Sequence, residues 1–218
     1  MERELFTKLE RWMRKKNRKP LIIQGARQVG KTWIMKEFGA RFYENTVYIN
    51  FDNNKAMKDV FELDFDLKRI LSAIKIEYGK SFQAENTLII FDEIQEVTNW
   101  EKCINSLRVE MDCDIYITGS NARLLSGELA TVLGGRYVEF TIYPFSYAEF
   151  IELYKDIFPD VTDSVVFQKY LMLGGMPYLA NLHFVEEPSR QYLTDVYNSV
   201  VLNDVVKRNK IRDIDLLT

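Results

Sequence analysis

The chain has 218 residues, 47% of them hydrophobic, so it can bury a sizeable core and disorder is not expected. Its 29 basic and 32 acidic residues leave a net charge of −3, which excludes a global attraction to nucleic acid or to an anionic membrane. One histidine and two cysteines argue against histidine-based metal sites, Ser-His-Asp catalysis and a disulfide framework, and they favour a reducing compartment.

The first predicted element is an amphipathic helix over residues 2–16, whose apolar residues recur at helical spacing: Leu5, Phe6, Leu9, Trp12 and Met13. The charged start lacks the apolar core of a signal peptide, and no run of about 18 apolar residues predicts a membrane span. We therefore expect a cytoplasmic protein. A basic cluster ends the helix and is either a solvated face or a patch for DNA or an acidic partner: Arg11, Arg14, Lys15, Lys16, Arg18 and Lys19.

A phosphate-binding loop is the strongest motif in the sequence. After the apolar run Leu21–Ile23 the chain fits the P-loop signature G-x-x-x-x-G-K-[ST], as Gly25-Ala26-Arg27-Gln28-Val29-Gly30-Lys31-Thr32. A strand precedes it and a short helix over 31–40 follows, so the context agrees, whereas a plain glycine-bearing turn needs neither. Glycines permit close approach of the backbone to phosphate, and the amides at the helix start face the anion. Lys31 is expected to reach the β- and γ-phosphates and Thr32 to bind Mg²⁺.

The next elements lead to a pair of acids. A strand is predicted over 47–52 and a helical stretch over 55–79 that stops at Gly79; the unbroken apolar run Leu88–Phe91 is typical of a strand buried on both faces. This run leads into Asp92 and Glu93. A P-loop enzyme needs one carboxylate for Mg²⁺ and often a second that orients the attacking water. Because buried acids are otherwise costly, the pair indicates hydrolysis and argues against a kinase.

A helix over 100–111 and strands over 114–120 and 137–142 complete this part of the chain. Ser120 or Asn121 could reach the γ-phosphate or the attacking water, but either could equally cap a helix over 122–125 in an ordinary polar turn. Arg136 follows two glycines and could neutralise charge on the γ-phosphate, in its own chain or in a neighbouring subunit. The alternative is a surface or ion-paired arginine, and Arg123 and Arg27 are weaker candidates for the same role.

The repeated strand-then-helix order predicts an α/β fold: a mostly parallel five-stranded sheet flanked by helices, with a ligand crevice at the carboxyl ends of the strands. Beyond Pro144 only helical periodicity remains, over 147–154, 165–173 and 190–207, with breaks expected at Pro159, at 174–177 and at Pro188. We therefore predict three parts: an N-terminal helix over 1–19, a P-loop core over 20–143 and a small all-helical lid domain over 144–218.

In this order the motifs resemble those of AAA-type P-loop ATPases. More closely, they resemble prokaryotic ATPases that carry G-A-R-Q-V-G-K-T, F-D-E-I-Q, T-G-S-N-A and a P-F-S-x-x-E-F turn, present here as Gly25–Thr32, Phe91–Gln95, Thr118–Ala122 and Pro144–Phe150. In such proteins a restriction-nuclease-like domain commonly follows the lid, so we expect the lid to be truncated at Thr218.

The resemblance implies ATP and Mg²⁺ as ligands. Lys31 and Thr32 would hold phosphate and metal, Asp92 the metal and Glu93 the water, with Ser120 or Asn121 as sensor and Arg136 as finger. The turn Gly174–Pro177 resembles one by which related lids contact adenine, which assigns Pro177 to the nucleotide; a helix C-cap followed by proline explains it equally well. Arg190 is the candidate for a lid sensor.

Two functions fit this reading. One is a motor or remodeller that self-assembles as a ring or dimer, with DNA as a weak favourite for its target. The other is a nucleotide-state switch with slow turnover.

Overall fold

A computed structural model describes residues 3–63, 66–79, 86–111, 113–119 and 135–200. The strands, in chain order, are β1 (Leu21–Gln24), β2 (Asn45–Asn50), β3 (Thr87–Asp92), β4 (Asp114–Thr118) and β5 (Val138–Thr141). The helices are α1 (Glu4–Met13), α2 (Lys31–Phe42), α3 (Lys55–Leu63), α4 (Leu67–Tyr78), α5 (Trp100–Glu110), α6 (Tyr147–Ile157), α7 (Asp163–Leu173) and α8 (Glu186–Val200), with short 3-10 turns at Ile94–Glu96 and Pro177–Ala180. Within these ranges no helix is long and apolar enough to cross a membrane.

The five strands form one sheet in the order β2-β3-β4-β1-β5, and every neighbouring pair is parallel. The predicted α/β class is confirmed. In register, Gln24 stands opposite Thr141, and Asn50 opposite Asp92. The carboxyl ends of the strands therefore share one edge, and this edge is where α/β sheets bind ligands.

Contacts divide the chain into two compact units. A helical unit comprises Met1–Glu4, Gly25–Gly30 and Ile142–Thr218, and a sheet unit comprises Leu5–Gln24 and Lys31–Thr141. The six residues of the P-loop before Lys31 thus belong to the helical unit, although the strand before them and the helix after them belong to the sheet unit.

The core of the sheet unit follows from the alternation of side chains along buried strands. Ile115 and Ile117 of β4 face a cluster that includes the buried apolar residues of α3, α4 and α5. Between them, Tyr116 points the other way and stacks on Phe38 of α2, with ring centroids 6.2 Å apart. Apolar side chains on both faces of the sheet are thus covered by helices, which explains why β3 is buried along its whole length.

The core of the helical unit is aromatic. Phe150 of α6 contacts Tyr170 and Phe184, each with ring centroids 5.1 Å apart. Ser146 begins α6 with a capping box: the Ser146 Oγ accepts from the Glu149 amide, and the Glu149 carboxylate accepts from the Ser146 amide at 2.9 Å. The same carboxylate lies 3.1 Å from the buried Arg3 guanidinium, whose pKa is lowered by burial. The Pro144–Phe150 motif is therefore a helix start that also anchors the N-terminal segment.

Two sequence-based expectations about helices are wrong. The stretch over 55–79 contains two helices, because Asp66 is extended and caps α4 by accepting from the Lys68 amide at 2.9 Å. Its predicted stop is confirmed, with Gly79 in the left-handed conformation. Pro188 does not break a helix: it lies in the first turn of α8, where a missing amide proton costs no hydrogen bond.

The observed ends also differ from the predicted ones by two or three residues at several elements. β2 covers Asn45–Asn50 instead of 47–52, and α1 ends at Met13 instead of residue 16. Residues 201–207 of the last predicted helix lie outside the described part of the chain. The ends of elements depend on capping contacts more than on periodicity, so they are the least predictable feature.

Candidate functional site

The loop between β1 and α2 has the backbone of an anion-binding turn. Gly25, Gln28 and Gly30 have φ values of 153°, 61° and 93°. A left-handed glutamine is uncommon, and turns of this kind can direct successive amides toward one anion. The sequence predicted the loop, and the structure adds that a non-glycine residue adopts a positive φ within it.

The two glycines of this loop are needed for different reasons. A Cβ on Gly25 would lie 2.3 Å from the carbonyl oxygen of Ile142, so the close approach is to the protein's own backbone. A Cβ on Gly30 would meet nothing nearer than Pro177 Cγ, at 4.0 Å, so there only the positive φ favours glycine. Sequence analysis had assigned both glycines to phosphate approach, and for Gly25 the structure supplies packing as a further reason.

The turn over 174–177 does two things. Gly174 ends α7 with φ 69° and donates its amide to the Tyr170 carbonyl at 2.8 Å, so the C-cap interpretation is correct. Gly175 lies against Phe145, whose amide donates to the Gly175 carbonyl at 2.7 Å. This turn leads to Pro177 beside Gly30. Contact of Pro177 with a nucleotide stays a prediction.

In the sheet unit, the two predicted magnesium ligands lie together. Thr32, in the first turn of α2, donates its hydroxyl to Asp92 Oδ2 at 3.0 Å. Asp92 ends β3 and is only 4% exposed. Lys31, the first residue of α2, is 8% exposed. A hydroxyl, a carboxylate and a nearly buried lysine at a helix start fit a Mg²⁺–phosphate ligand, because Mg²⁺ prefers oxygen ligands and phosphate completes its shell.

Two further residues of β2 hold the same carboxylate oxygen. Tyr48 donates its hydroxyl to Asp92 Oδ2 at 2.5 Å, and Asn50 donates its side-chain amide to that oxygen at 3.3 Å. Burial, and then the hydrogen bond to Asp92, raise the pKa of Tyr48. Sequence analysis missed both residues. The available signal was two polar residues, two positions apart, at the carboxyl end of the strand before the acidic pair.

Glu93 follows β3 in a left-handed conformation, with φ 54° and ψ 42°. Its carboxylate accepts a hydrogen bond from the side-chain amide of Gln95. A non-glycine residue in this region costs on the order of 1–3 kcal/mol, and such strain clusters at functional sites. The strained turn directs the chain away from the strand immediately after Asp92, so the two acids occupy different environments.

Arg136 lies at the opposite end of the sheet. It is exposed and precedes β5, whose first residue, Val138, stands opposite Leu21 at the amino end of β1. The five steps from Arg136 to Thr141 span about 16 Å at ~3.3 Å per residue. Arg136 is therefore remote from the edge of the sheet that carries Asp92.

The remaining predicted residues divide into two groups. Arg190 pairs with Glu186 of its own helix at 3.0 Å, and Arg27 is half-buried in the loop. Three others lie outside the described residues: Ser120, Asn121 and Arg123.

Comparison with known proteins identifies the family. A family model described as an AAA domain matches residues 17–151, more than half of the chain. The chain belongs to the AAA family. The match begins before β1 and ends within α6, so it includes the whole sheet and both acids.

Two curated relatives are described as uncharacterised proteins. One, from Haemophilus influenzae, is 35% identical over 207 residues, which cover 90% of this chain and 48% of that protein. The other, from Methanocaldococcus jannaschii, is 28% identical over 201 residues, covering 88% of this chain and 43% of that protein. This AAA chain thus spans about half the length of the curated relatives it matches.

Solved AAA-like structures agree on the fold. A mutant of RuvB from Thermotoga maritima superposes with a TM-score of 0.56 at 17% identity, covering 90% of this chain and 65% of that one. C. elegans PCH-2 superposes with a TM-score of 0.53 at 12% identity, covering 90% and 68%. These similarities support an ATPase-type module of the AAA family, a class whose fold binds nucleotide at the P-loop.

Proposed function

We propose that this AAA module binds ATP with Mg²⁺ and hydrolyses it. The observation that carries the proposal is the 3.0 Å contact between Thr32 Oγ1 and Asp92 Oδ2, which joins the P-loop helix to the acidic end of β3. Sequence reasoning selected both residues, and their side chains are in direct hydrogen-bond contact. Its donor set is the one that a P-loop enzyme uses to hold Mg²⁺.

Binding would begin with the phosphates. The amides of the Gly25–Gly30 loop and the nearly buried Lys31 would hold the β- and γ-phosphates, and Pro177 beside Gly30 would contact the base. Thr32 and Asp92 would hold Mg²⁺, which when bound offsets negative charge on the phosphate oxygens. The proposed division into an N-terminal helix (1–19), a P-loop core (20–143) and a lid (144–218) places Pro177 in the lid.

Glu93 would orient the attacking water and accept its proton. The water oxygen forms a bond to the γ-phosphorus while the bond from that phosphorus to the β–γ bridging oxygen breaks, releasing ADP and inorganic phosphate. The separation of roles between Asp92, held by three donors, and Glu93, on a strained turn, supports this assignment. Ser120 or Asn121, which follow β4, would sense the γ-phosphate.

Arg136 would act across a subunit interface. Its position about 16 Å from the carboxyl edge of the sheet, at ~3.3 Å per residue, supports action on the nucleotide of a neighbouring copy instead of its own. This makes self-association part of the proposal. Contact with DNA would involve the exposed residues Arg11, Arg14, Lys15 and Lys16. Arg18 pairs with Asp114, and Lys19 donates to the Gly135 carbonyl.

A nucleotide-state switch with slow turnover is the second candidate. It is favoured by the hydrogen bond from Gln95 to Glu93, which occupies the carboxylate that would accept the proton of water. A cytoplasmic location belongs to either version and is supported by Cys103 and Cys113, neither of which forms a disulfide. A restriction-nuclease-like domain after the lid would supply the output of the switch.

Steady-state ATP hydrolysis with Mg²⁺ over a series of protein concentrations tests these proposals. Specific activity that rises with concentration supports the self-assembling enzyme, and tight binding with flat, slow turnover supports the switch. Glu93→Gln should keep ATP binding and lose roughly 10²–10⁴-fold in turnover, since a general base contributes about that much. Normal turnover by Glu93→Gln would refute the role given to Glu93.

The role of Arg136 can be tested by mixing inactive variants. Arg136→Ala supplies an intact Glu93, and Glu93→Gln supplies an intact Arg136, so a mixed assembly should recover part of the activity. The absence of recovery at every mixing ratio would contradict action across an interface.

A further inference from the structure

Tyr48 lies near the proposed magnesium ligands, and neither the motifs nor the family comparison assign it a role. β2 and β3 are paired so that Tyr48 stands opposite Ile90 and Asn50 opposite Asp92. On this register the Tyr48 hydroxyl reaches Asp92 Oδ2 at 2.5 Å. The contact is the shortest of the three that this oxygen receives from Thr32, Tyr48 and Asn50.

The direction of the Tyr48 hydrogen bond is fixed by its neighbour. Asn50 donates its side-chain amide to the Tyr48 hydroxyl oxygen at 3.2 Å. The amide can only donate, so it takes a lone pair of that oxygen, and the single hydroxyl proton of Tyr48 goes to the Asp92 carboxylate, which accepts it. The result is a chain of donors that runs from Asn50 through Tyr48 to the carboxylate.

The tyrosine ring is held as well. The Lys36 ammonium lies 3.5 Å from the centroid of the Tyr48 ring, in a cation–π contact. Lys36 is one helical turn after Thr32 on α2. The hydroxyl of Tyr48 is thus held by Asp92, a proposed metal ligand, and its ring is contacted by Lys36, one turn after Thr32.

We propose that Tyr48 is a positioning residue that fixes the orientation of the Asp92 carboxylate for Mg²⁺. The terminal torsion of an aspartate is broad, so hydrogen bonds decide which way its two oxygens point. Partners that hold a metal ligand typically account for 10–100-fold in metal affinity. This inference rests on the proposed function, because it assumes that Asp92 and Thr32 hold the metal.

The decisive variant is Tyr48→Phe, which removes one hydroxyl and keeps the ring over which Lys36 lies. The probe is Mn²⁺ in place of Mg²⁺, titrated by electron paramagnetic resonance in the presence of a non-hydrolysable ATP analogue. We expect the half-saturating Mn²⁺ concentration to rise about 10-fold. Nucleotide binding in the presence of EDTA should stay within about twofold of the wild type, and saturating Mg²⁺ should restore most of the hydrolysis rate.

Tyr43→Phe is the matched control. Tyr43 is also partly buried and also donates its hydroxyl to a buried aspartate, Asp114, but at the other end of the sheet. Its loss should lower the melting temperature and leave the Mn²⁺ titration unchanged. If Tyr48→Phe fails to fold, Asn50→Ala tests the same chain of donors and should shift the titration in the same direction by a smaller factor.

The outcomes of these experiments separate the role of Tyr48 from the proposed function on which it rests. If the wild type binds no Mn²⁺ with nucleotide, the proposed function fails and this inference fails with it. If the wild type binds Mn²⁺ and Tyr48→Phe, or its substitute Asn50→Ala, binds it equally well, only the role of Tyr48 is overturned. An equal shift in Tyr43→Phe would also overturn it, because the effect would then follow from stability alone.

Discussion

Two buried aspartates at opposite ends of neighbouring strands have different kinds of hydrogen-bond partner. Asp114 begins β4, is 6% exposed, and pairs with the Arg18 guanidinium at 2.6 Å while it accepts the Tyr43 hydroxyl. Asp92 ends β3, is equally buried, and takes neutral donors: the Thr32 and Tyr48 hydroxyls and the Asn50 amide. Both accept the hydroxyl of a tyrosine, and Asp114 also pairs with a guanidinium.

This difference in partners supports a structural role for Asp114 and the proposed metal-binding role for Asp92. Burying a carboxylate is costly unless an opposite charge accompanies it, and Arg18 meets that need at Asp114. The hydrogen bond to Asp114 in turn raises the pKa of Arg18. At Asp92 the hydrogen bonds come from neutral donors, which orient the carboxylate and would suit the proposed role as a metal ligand. The contacts at the amino edge of the sheet therefore stabilise the fold, and those at the carboxyl edge support the proposed ligand site.

Exchanging each aspartate for asparagine gives the largest contrast. Asp92→Asn should lose at least about 100-fold of the Mg²⁺-dependent hydrolysis, because the metal loses a charged partner, and should fold as stably as the wild type. Asp114→Asn should retain hydrolysis per folded molecule and lose about 2–3 kcal/mol of unfolding free energy. Activity assays and urea denaturation of both variants check this. The comparison fails if Asp114→Asn is the less active of the two.

Replacing Arg18 sharpens the stability side of the comparison. Arg18→Met removes the cation and leaves Asp114 buried beside Tyr43. Because the guanidinium is partly exposed, we expect a loss of about 1–2 kcal/mol, less than for a fully buried pair. Urea denaturation measures this loss. In the double variant with Asp114→Asn the two losses should not add, and strict additivity would show that the two side chains act independently.

Magnesium removal probes the other side. An ATP analogue with Mg²⁺ should raise the unfolding free energy of the wild type by about 2.7 kcal/mol at a hundredfold excess over the dissociation constant, and EDTA should abolish the part that depends on metal. Asp114→Asn should show the same increment from a lower starting point, and Asp92→Asn only a small one. Thermal unfolding with and without EDTA measures these increments. Equal increments in all three proteins would remove the distinction between the two aspartates.

The smallest expected effect is a loss of stability at alkaline pH, to which a tyrosine at each end of the sheet contributes. Burial raises the pKa of Tyr43 and of Tyr48. Above about pH 10 the unfolded chain releases these protons while the folded chain keeps them, so stability falls as pH rises, by up to about 1.4 kcal/mol per pH unit for each group. Tyr43→Phe and Tyr48→Phe should each flatten this alkaline slope. Denaturation between pH 9 and 11 measures it, and an unchanged slope in both variants would contradict the inferred burial effect.

Much of the fold could be predicted from local pattern. The unbroken run Leu88–Phe91 predicted an interior parallel strand, and Gly79 predicted the end of a helix. Both features depend on residues that are close in the sequence. The break at Asp66 was missed, since a cap inside a helical period competes with the periodicity and only the packed helices show which wins. Pro188 was misjudged because proline was expected to break the helical pattern, whereas the first turn of a helix tolerates it.

The site divides in the same way. The sequence alone predicted the P-loop, with Lys31 and Thr32, and the acids Asp92 and Glu93, because phosphate and metal chemistry favours those residue types at short, fixed spacing. Tyr48 became part of the site only through the pairing of β2 with β3, which brings residues 44 positions apart into hydrogen-bond contact. Tertiary structure also decided that Arg18 pairs with Asp114, which lies 96 positions away in the chain. Pairings between distant segments follow from strand order and register, which no local motif encodes.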